Sequence, residues 1–385
     1  MNVTIRCPGR PPLAVGPTER TRVMALIGTS SLGGHSGQLQ KLEALLGLSP
    51  RPDIIADLSI VPLGEPLWER VVKLGHPAAT LPIYSVRRRD RRIDPEELLE
   101  TAVRQMEAGV GLLTIHPTAC PALVESAQQR RVPWTSRGGG LVIEDMLASG
   151  RDENAYLLIL PALIRAAARH GTVLSLGATF RSANIFDALD ATQQAEIEIQ
   201  LALAKTITEG GVGVIIESPG HARPADIRRV GAKLAATGYP IMPLGPIPTD
   251  AAVGFDHVAA AIGATLLGME GAAHILAAVT REEHTGSVPS IPSTIEAVRA
   301  AQVAAHIIDI HCLGSTEADE QVVSHRSEHH TCVAGKSTYG CSRCGVTCPL
   351  VPSSERERDL RHDTQHGYAG ARDGAAKGRS TPDTD

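Results

Sequence analysis

The feature of this 385-residue sequence that most limits its possible folds is a regular alternation of short apolar runs with helical patterns. The apolar runs are rich in Val, Ile, Leu and Ala on both faces, which is typical of strands buried in a parallel sheet. We predict eight such strands: Arg22–Ile27, Ile54–Leu58, Ala79–Tyr84, Gly111–His116, Val132–Thr135, Val173–Leu176, Val212–Glu217 and Pro240–Leu244. The helical segments that follow them are Ser36–Leu46, Pro66–Lys73, Pro95–Ala108, Ala122–Gln129, Glu153–Arg169, Ala191–Glu209, Pro224–Ala236 and Phe255–Leu267. This layout predicts an α/β fold, a (β/α)8 TIM-type barrel over residues 21–275, with a doubly wound open sheet as the alternative.

The chain outside the barrel changes in composition. Residues 1–20 carry Pro and Gly without a period, and we expect a loose N-terminal arm. Residues 276–330 are expected to form a C-terminal helical extension, in which residues 295–310 have apolar residues at helical spacing. Residues 331–350 contain a cysteine motif on a flexible tail, and residues 351–385 are charged and Gly-rich, which predicts disorder.

Charge and hydropathy exclude some classes of function. The formal net charge of -5 provides no basic surface, which argues against nucleic acid as a partner. No apolar run is long enough to span a membrane, and the N-terminus lacks the pattern of a signal peptide. We therefore expect a cytoplasmic protein with no membrane partner.

Polar side chains follow seven of the eight predicted strands, where the active site of a barrel lies. Each of them alone could be a cap or a surface residue, but their repetition indicates a site. These residues are Asp57, Ser59, Tyr84, His116, Ser136, Arg137, Arg181, Glu217, His221, Thr249, Asp250, Asp256 and His257, and Gly138 follows Ser136 and Arg137 in the same loop.

The segment GVGVIIESPGHARP, residues 211–224, combines a buried strand with a polar turn. Glu217 ends the apolar run and His221 lies four residues further on, so the two side chains can converge on a metal or a polar substrate. His257 would come from the neighbouring loop, and two His with an open position suit zinc or a similar divalent ion. The alternative is that His221 is a helix-capping residue and that His257 only begins the next helix.

The segment SRGGG at residues 136–140 predicts a phosphate-binding loop. Glycines allow the backbone to approach an anion closely, and Arg137 adds a planar set of donors. A small phosphorylated substrate is the expected ligand, although a Gly-rich loop with an exposed Arg would have the same sequence.

Three of the seven cysteines form the motif C-x2-C-x3-C at Cys341, Cys344 and Cys348. Three thiolates can bind three irons of a [4Fe-4S] cluster and leave the fourth iron open for S-adenosylmethionine. The alternative is a structural zinc site with Cys332 or a nearby His as the fourth ligand.

Taken together, these motifs resemble the phosphomethylpyrimidine synthase (ThiC) family of radical S-adenosylmethionine enzymes. The resemblance rests on segments at 56–60, 84, 116, 136–139, 175–177, 216–221, 244–257 and 261–268 and on the cysteine tail. It implies a carbon-carbon lyase that rearranges aminoimidazole ribotide into hydroxymethylpyrimidine phosphate for thiamine biosynthesis. It also implies a homodimer in which the cysteine tail reaches the partner subunit, and an external electron donor.

The resemblance assigns roles to individual residues. It implies a [4Fe-4S] cluster on Cys341, Cys344 and Cys348, and a divalent metal, zinc or iron, on His221 and His257. It implies a catalytic role for Glu217 and substrate contacts from Tyr84, His116, Ser136, Arg137, Gly138, Arg181 and Glu217.

Several positions depart from the family pattern. The family has four residues between its second and third cysteines, where this chain has three. Its DGLRPG segment is ATFRSA here, so that Ala178 replaces an Asp while Arg181 remains, and the asparagines near Met24 are absent. A paralogue with another product, such as 5-hydroxybenzimidazole, or a non-catalytic metal-binding barrel is therefore the alternative.

Overall fold

The structure, a computed structural model, describes residues 1–31, 34–60, 64–86, 90–335 and 339–351. The tail predicted to be disordered lies outside these residues, apart from Val351. The strands are β1 (Val3–Ile5), β2 (Leu13–Val15), β3 (Arg22–Ile27), β4 (Ile54–Asp57), β5 (Ala78–Thr80), β6 (Leu112–Ile115), β7 (Val173–Leu176), β8 (Val214–Glu217), β9 (Ile241–Met242) and β10 (Ile275–Ala277). The helices are α1 (His35–Leu46), α2 (Leu67–Lys73), α3 (Pro95–Ala108), α4 (Pro121–Ala127), α5 (Arg137–Ser149), α6 (Ala155–His170), α7 (Ala191–Glu209), α8 (Pro224–Ala235), α9 (Asp256–Gly268), α10 (Ile291–Leu313) and α11 (Glu317–Glu328).

Eight parallel strands, β3 to β10, form a barrel. Neighbours pair in the order β10, β3, β4, β5, β6, β7, β8, β9. A backbone hydrogen bond from His274 N–H to the Ile241 carbonyl, at 2.9 Å, joins the two ends of this series. The predicted (β/α)8 barrel is therefore confirmed.

Two of the predicted strands differ from the structure. Val132–Thr135 is not a strand; Pro133 interrupts it, and the segment is a loop that leads into α5. The eighth strand is instead Ile275–Ala277, which pairs with β3. Helix α10 follows it and packs on α9 and α1, so residues 276–313 complete the barrel and are not an extension beyond it. The third strand also ends earlier than predicted, at Thr80, and Tyr84 lies in a short 3-10 turn after it.

The inside of the barrel is filled by alternate strand residues, as the period of a strand requires. Met24, Ala56, Leu112 and Ile215 belong to this inner core. The hairpin of β1 and β2 adds Val3, Ile5 and Val15 to the same core, so residues 1–20 are not the loose arm that the sequence predicts. Because Gly111, directly before β6, has no Cβ, the Arg6 carbonyl can approach it, which places the hairpin at the N-terminal end of the barrel.

The chain divides into two compact units, Met1–Gly314 and the residues from Ser315 onward. The first unit is the barrel with its hairpin. In the second unit, α11 is followed by a turn in which Gly340 N–H donates to the His330 carbonyl at 3.2 Å and Thr331 Oγ donates to the Gly340 carbonyl at 3.0 Å. No helix of the described residues is long and apolar enough to cross a membrane.

Candidate functional site

A cavity of about 300 Å³ opens at the C-terminal end of the barrel strands. Its floor is made by inward-facing strand residues such as Met24, Ala56 and Ala79. Seven of the residues singled out in the sequence line it: Tyr84, His116, Ser136, Arg137, Arg181, Glu217 and His221. The barrel therefore brings together side chains that are up to 137 positions apart in the sequence, between Tyr84 and His221.

The first turn of helix α5 forms one wall of the cavity. Ser136 is the N-cap residue of α5, and its Oγ accepts a hydrogen bond from Gly139 N–H at 3.1 Å. The Tyr84 hydroxyl accepts from Gly138 N–H. Both hydroxyl groups therefore keep their own hydrogens for donation to a ligand. The Arg137 guanidinium lies 5.6 Å from the centre of the Tyr84 ring and adds a positive charge to this wall.

The glycines of SRGGG have a packing role that the sequence analysis did not identify. A Cβ at Gly138 would lie 2.4 Å from Cε1 of His116, and one at Gly139 would lie 2.6 Å from Cγ2 of Thr179. Since their N–H groups are already bonded to Tyr84 and Ser136, phosphate binding at this wall would rest on side chains.

His116 is held between two glycines. In addition to the contact with Gly138, a Cβ at Gly177 would lie 2.6 Å from Nε2 of His116. Burial, and then the charge of Arg181, lowers the pKa of His116 to about 3, so the ring is neutral at physiological pH. Its buried Nδ1 has no hydrogen-bond partner among the described residues, although the ring lines the cavity. A buried polar atom without a partner at a cavity wall is suited to bind a ligand.

Glu217 ends β8 and is 5% exposed. Burial raises the pKa of its carboxyl group, while Arg181 and hydrogen bonds from Ala178 N–H and Thr114 act in the opposite direction. Oε2 is 3.3 Å from Ala178 N. A carboxyl group with a raised pKa in a cavity binds a proton more readily than an exposed one, which suits it to proton transfer.

Two histidines with matching carboxylate partners meet at the opposite wall. His221 Nδ1 is 2.6 Å from Oδ1 of Asp250, and His284 Nδ1 is 2.6 Å from Oδ1 of Asp256. The two rings are 4.9 Å apart between centroids and nearly perpendicular, and both line the cavity. A carboxylate that accepts from Nδ1 fixes the tautomer in which Nε2 is free to bind a metal, as in carboxylate–histidine–zinc sites.

His257 is not part of this pair. It contacts Glu296 of α10, with Nε2 3.6 Å from Oε1, and its side chain faces a small space between α9 and α10. The predicted pairing of His221 with His257 therefore does not occur in the structure, and His284 takes that place. His284 follows β10. Because β10 was not predicted as a strand, His284 was not recognised as a residue at a strand end.

The signal for His284 was present in the sequence. The apolar run that ends at Val279 is followed by the polar residues TREEH, the same change that marks the other strand ends. Asp250 and Asp256 were singled out as strand-end residues, and the structure makes them the partners of the two histidines.

A buried carboxylate that the sequence analysis did not identify joins two loops of the site. Glu196 of α7 accepts hydrogen bonds from Thr118 Oγ at 2.6 Å, from Thr179 N–H at 2.6 Å and from Phe180 N–H at 2.8 Å. Thr118 lies two residues after His116, and the other two donors precede Arg181. Glu196 therefore fixes the loops that carry two cavity residues.

The cysteines of the tail lie together in the second unit. Loss of hydration, and then the neighbouring Cys341, Cys348 and Cys332, raises the pKa of the Cys344 thiol. In the described part of the chain, however, no group of three or more His, Cys, Asp or Glu side chains is arranged as a metal site. The donor chemistry of three clustered thiols fits an iron–sulfur cluster, and none of the three is part of a disulfide bond in the structure.

The fold and the cavity define the protein as a TIM-barrel protein whose C-terminal face carries a polar, histidine-rich pocket, the arrangement found in barrel enzymes. The sequence profile of the Radical SAM ThiC family matches residues 3–338, and the chain belongs to this family. This confirms the resemblance found in the sequence and indicates an enzyme of the radical S-adenosylmethionine class.

Curated relatives have two different names. The phosphomethylpyrimidine synthase of Pyrobaculum aerophilum is 29% identical over 93% of this chain and 89% of its own length. That of Methanopyrus kandleri is 32% identical over 77% of this chain and 71% of its own. The 5-hydroxybenzimidazole synthase BzaA of Moorella thermoacetica is also 32% identical, over 78% of this chain and 71% of its own.

Proposed function

We propose that this protein is a radical S-adenosylmethionine lyase that rearranges aminoimidazole ribotide into hydroxymethylpyrimidine phosphate in thiamine biosynthesis. The observation that carries the proposal is the set of polar side chains around the barrel cavity, in a chain whose relatives include phosphomethylpyrimidine synthases.

The phosphate of the substrate would bind between helix α5 and Arg181. The Ser136 and Tyr84 hydroxyls can donate to phosphate oxygens, because each accepts a backbone N–H and keeps its own hydrogen. Arg137 and Arg181 both line the cavity and supply the balancing charge. The N-terminus of α5 lies behind the two hydroxyls, and its dipole favours the anion.

The ring of the substrate would lie deeper, against His116 and Glu217. The neutral His116 offers its unpartnered Nδ1 for orientation. Glu217 holds a proton more readily than an exposed carboxyl group and can move it at Oε1 or Oε2.

His221 and His284 would hold the divalent metal, zinc or iron. Their Nδ1 atoms are bonded to Asp250 and Asp256, and the ring positions leave Nε2 for the ion. The metal would supply a Lewis acid for an oxygen or nitrogen of the substrate. Because the protein would supply only two ligands, several coordination positions of the metal would remain open for the substrate atom and for water.

Cys341, Cys344 and Cys348 would hold a [4Fe-4S] cluster that, reduced by an external donor, supplies the radical from S-adenosylmethionine. The chain is proposed to act as a homodimer. Helix α9 has no charged side chain after His257, yet Val258 and Ile262 are 45% and 53% exposed. Phe255 and, on the adjacent helix α10, Val303 are also exposed. An apolar helix face of this kind is typical of an interface between subunits.

The test of this proposal is anaerobic turnover. The full chain, reconstituted with iron and sulfide, is incubated with aminoimidazole ribotide, S-adenosylmethionine and a reductant. Hydroxymethylpyrimidine phosphate, identified by mass and by comparison with a standard, is the expected product. Formation of 5′-deoxyadenosine without any product from the ribotide would contradict the proposed reaction.

A second function is favoured by one comparison. The Moorella relative named 5-hydroxybenzimidazole synthase is as similar to this chain as the Methanopyrus phosphomethylpyrimidine synthase. The loss of the family Asp at Ala178 removes a polar side chain next to Glu217, to which the Ala178 N–H donates. The same turnover reaction decides between the two, because 5-hydroxybenzimidazole lacks phosphate and has a different mass and absorption spectrum.

A further inference from the structure

Helix α11, the first element of the second unit, has little packing to stabilise it. None of its 12 residues, all of which the structure describes, is buried. Its N-cap residue, Thr316, makes no capping hydrogen bond within the described part of the chain. A helix of this length is marginal in water on its own, because most helical stability in proteins comes from the packing of an apolar face. Any further stabilisation of α11 must therefore come from its own surface.

Two histidines lie one turn apart at the end of this helix. His325 and His329 are at positions i and i+4, which are neighbours on a helix surface. Their rings are stacked, with centroids 4.4 Å apart and planes at 24° to each other. Two imidazoles that bind one ion at about 2.0–2.1 Å from each nitrogen have centroids roughly 4.5–5 Å apart. A small movement of the two rings would therefore let both bind the same ion.

Each ring of the pair has a nitrogen available for a ligand. His329 Nδ1 is 3.0 Å from the carbonyl oxygen of His325. Because a carbonyl group only accepts, Nδ1 of His329 carries the hydrogen and its Nε2 has the free lone pair. Nδ1 of His325 is buried and has no hydrogen-bond partner among the described residues. Native proteins keep few buried polar atoms without a partner, and a ligand bound to the pair would account for this one.

The place of the pair at the C-terminal end of α11 favours a cation. The last turn of a helix has the negative end of the helix dipole, and its final carbonyl groups have no partner within the helix. Glu328, which is exposed and three residues after His325, adds a negative charge close to the same face. Arg326 is one position after His325, and adjacent residues of a helix do not face each other.

The donor atoms indicate which ions the pair would bind. Imidazole nitrogen is a ligand for zinc, nickel and copper, whereas magnesium and calcium prefer oxygen. Within the described residues, no group of three or more His, Cys, Asp or Glu side chains is arranged as a metal site. The two rings would therefore be the only protein ligands from the described part of the chain, and water would complete the coordination.

We propose that His325 and His329 form a surface site for a zinc, nickel or copper ion, which joins the two ends of the last turn of α11. An ion that binds the helical form and not the unfolded turn stabilises the helix by mass action. The ion would thus order the segment that leads to the cysteine motif. This site uses other residues than the proposed active-site pair, His221 and His284, and does not depend on the proposed reaction.

The test is limited trypsin digestion of the full reconstituted chain with and without Ni²⁺, under anaerobic conditions. Trypsin cleaves after Arg326, which is exposed and lies between the two histidines. Because cleavage requires the turn to unfold, free Ni²⁺ at ten times its Kd should slow this cleavage about tenfold in the wild type. His325→Ala and His329→Ala should each lose the protection, and Mg²⁺ should give none. Mass spectrometry measures the rate at this one bond.

Calorimetry with Ni²⁺ is the second measurement, and a His221→Ala/His284→Ala background removes the other proposed metal pair. In that background, His325→Ala should reduce the number of bound ions by one, whereas His311→Ala, a change at an exposed position of α10, should leave it unchanged. Each variant is compared with itself in the presence and absence of Ni²⁺, so a general loss of stability does not imitate the result. Equal cleavage of the wild type with and without Ni²⁺, or protection that persists in His325→Ala and His329→Ala, would overturn the proposal.

Discussion

At the scale of single residues, the metal proposal depends on which histidine is paired with His221, and in the structure it is His284 instead of His257. His221 and His284 face each other in the cavity, whereas His257 contacts Glu296 outside it. We predict that His221→Ala and His284→Ala lose a bound zinc or iron ion and that His257→Ala retains it. Metal content after dialysis, measured by mass spectrometry, provides the check.

The carboxylate partners refine this prediction. Asp250→Asn or Asp256→Asn should weaken metal binding about 10- to 100-fold, because the carboxylate orients the ring and raises its basicity. Retention of the metal in His284→Ala together with its loss in His257→Ala would restore the pairing expected from the sequence and refute the structural one.

Gly138 provides a second test at this scale. A methyl group there would overlap the buried His116 ring, with a 2.4 Å contact, and the ring is confined by Gly177 on its other side. Gly138→Ala should therefore destabilise the protein by about 1–3 kcal/mol, as overpacking of a core does. In Gly140→Ala, on the same helix, the nearest atoms are 3.8 Å away on Trp134, so the change should be neutral or slightly stabilising. Urea unfolding of both variants gives the comparison, and equal midpoints would show that His116 can move.

At the scale of elements, Glu196 couples helix α7 to the loops that carry His116 and Arg181. Burial raises the pKa of Glu196 to about 7, against 4.5 for an exposed glutamate. Between these two pH values the folded protein binds more protons than the unfolded chain. The contribution of Glu196 to the free energy of unfolding is therefore full below pH 4.5 and falls as the pH rises to 7, by about 3 kcal/mol.

Glu196→Gln should remove this pH dependence, because an amide does not titrate. It should also loosen the loop, since an amide nitrogen cannot accept from Phe180 N–H. The difference in unfolding free energy between wild type and variant, measured at pH 5 and pH 7.5, should change by roughly 2.4 kcal/mol. Glu198→Gln, an exposed change on the same helix, should leave the difference near zero. A constant difference for Glu196→Gln would mean that its carboxyl group titrates normally.

At the scale of the whole molecule, the sequence predicted the barrel because eight apolar runs leave few alternatives, and the structure confirms that fold. One of the eight predicted strands, however, is not a strand, and the last strand of the barrel was not predicted. Val132–Thr135 has suitable residue types but contains Pro133, while Ile275–Ala277 is only three residues long and lies in a run of alanines.

The wrong choice of Val132–Thr135 over Ile275–Ala277 as a strand explains the principal error at the site, the assignment of His257 instead of His284 to the metal. With the last strand placed too early, His257 seemed to follow the final strand and His284 fell outside the barrel. Residues at the other strand ends were predicted to lie together, because their places depend only on strand order, and Tyr84, His116, Arg181 and Glu217 do line one cavity. Contacts such as Glu196 to Thr179 could not be predicted, since they depend on the path of loops.

The proposed homodimer gives a prediction about the surface. Ile262→Glu or Val258→Glu would place a charge on the exposed apolar face of α9 and should convert a dimer into a monomer. Light scattering coupled to size exclusion measures the mass, and circular dichroism checks that the barrel stays folded. Lys205→Glu, an exposed change on α7, is the control. A monomeric wild type would exclude the dimer, and a dimeric Ile262→Glu would place the interface elsewhere.

The cysteine tail gives the last prediction. Thr331 and Gly340 are hydrogen-bonded to each other, so Cys332 lies close to the motif and could act as a fourth thiol. If the three motif cysteines suffice, Cys332→Ala should bind about four irons per chain after reconstitution and cleave S-adenosylmethionine. Cys341→Ala, Cys344→Ala and Cys348→Ala should each lose both properties, and Cys120→Ala, in the barrel unit, should keep them. Iron analysis, the visible absorption spectrum and 5′-deoxyadenosine release give three independent measurements. Loss of metal in Cys332→Ala, with zinc bound in place of iron in the wild type, would identify the tail as a four-thiolate structural site without an open iron.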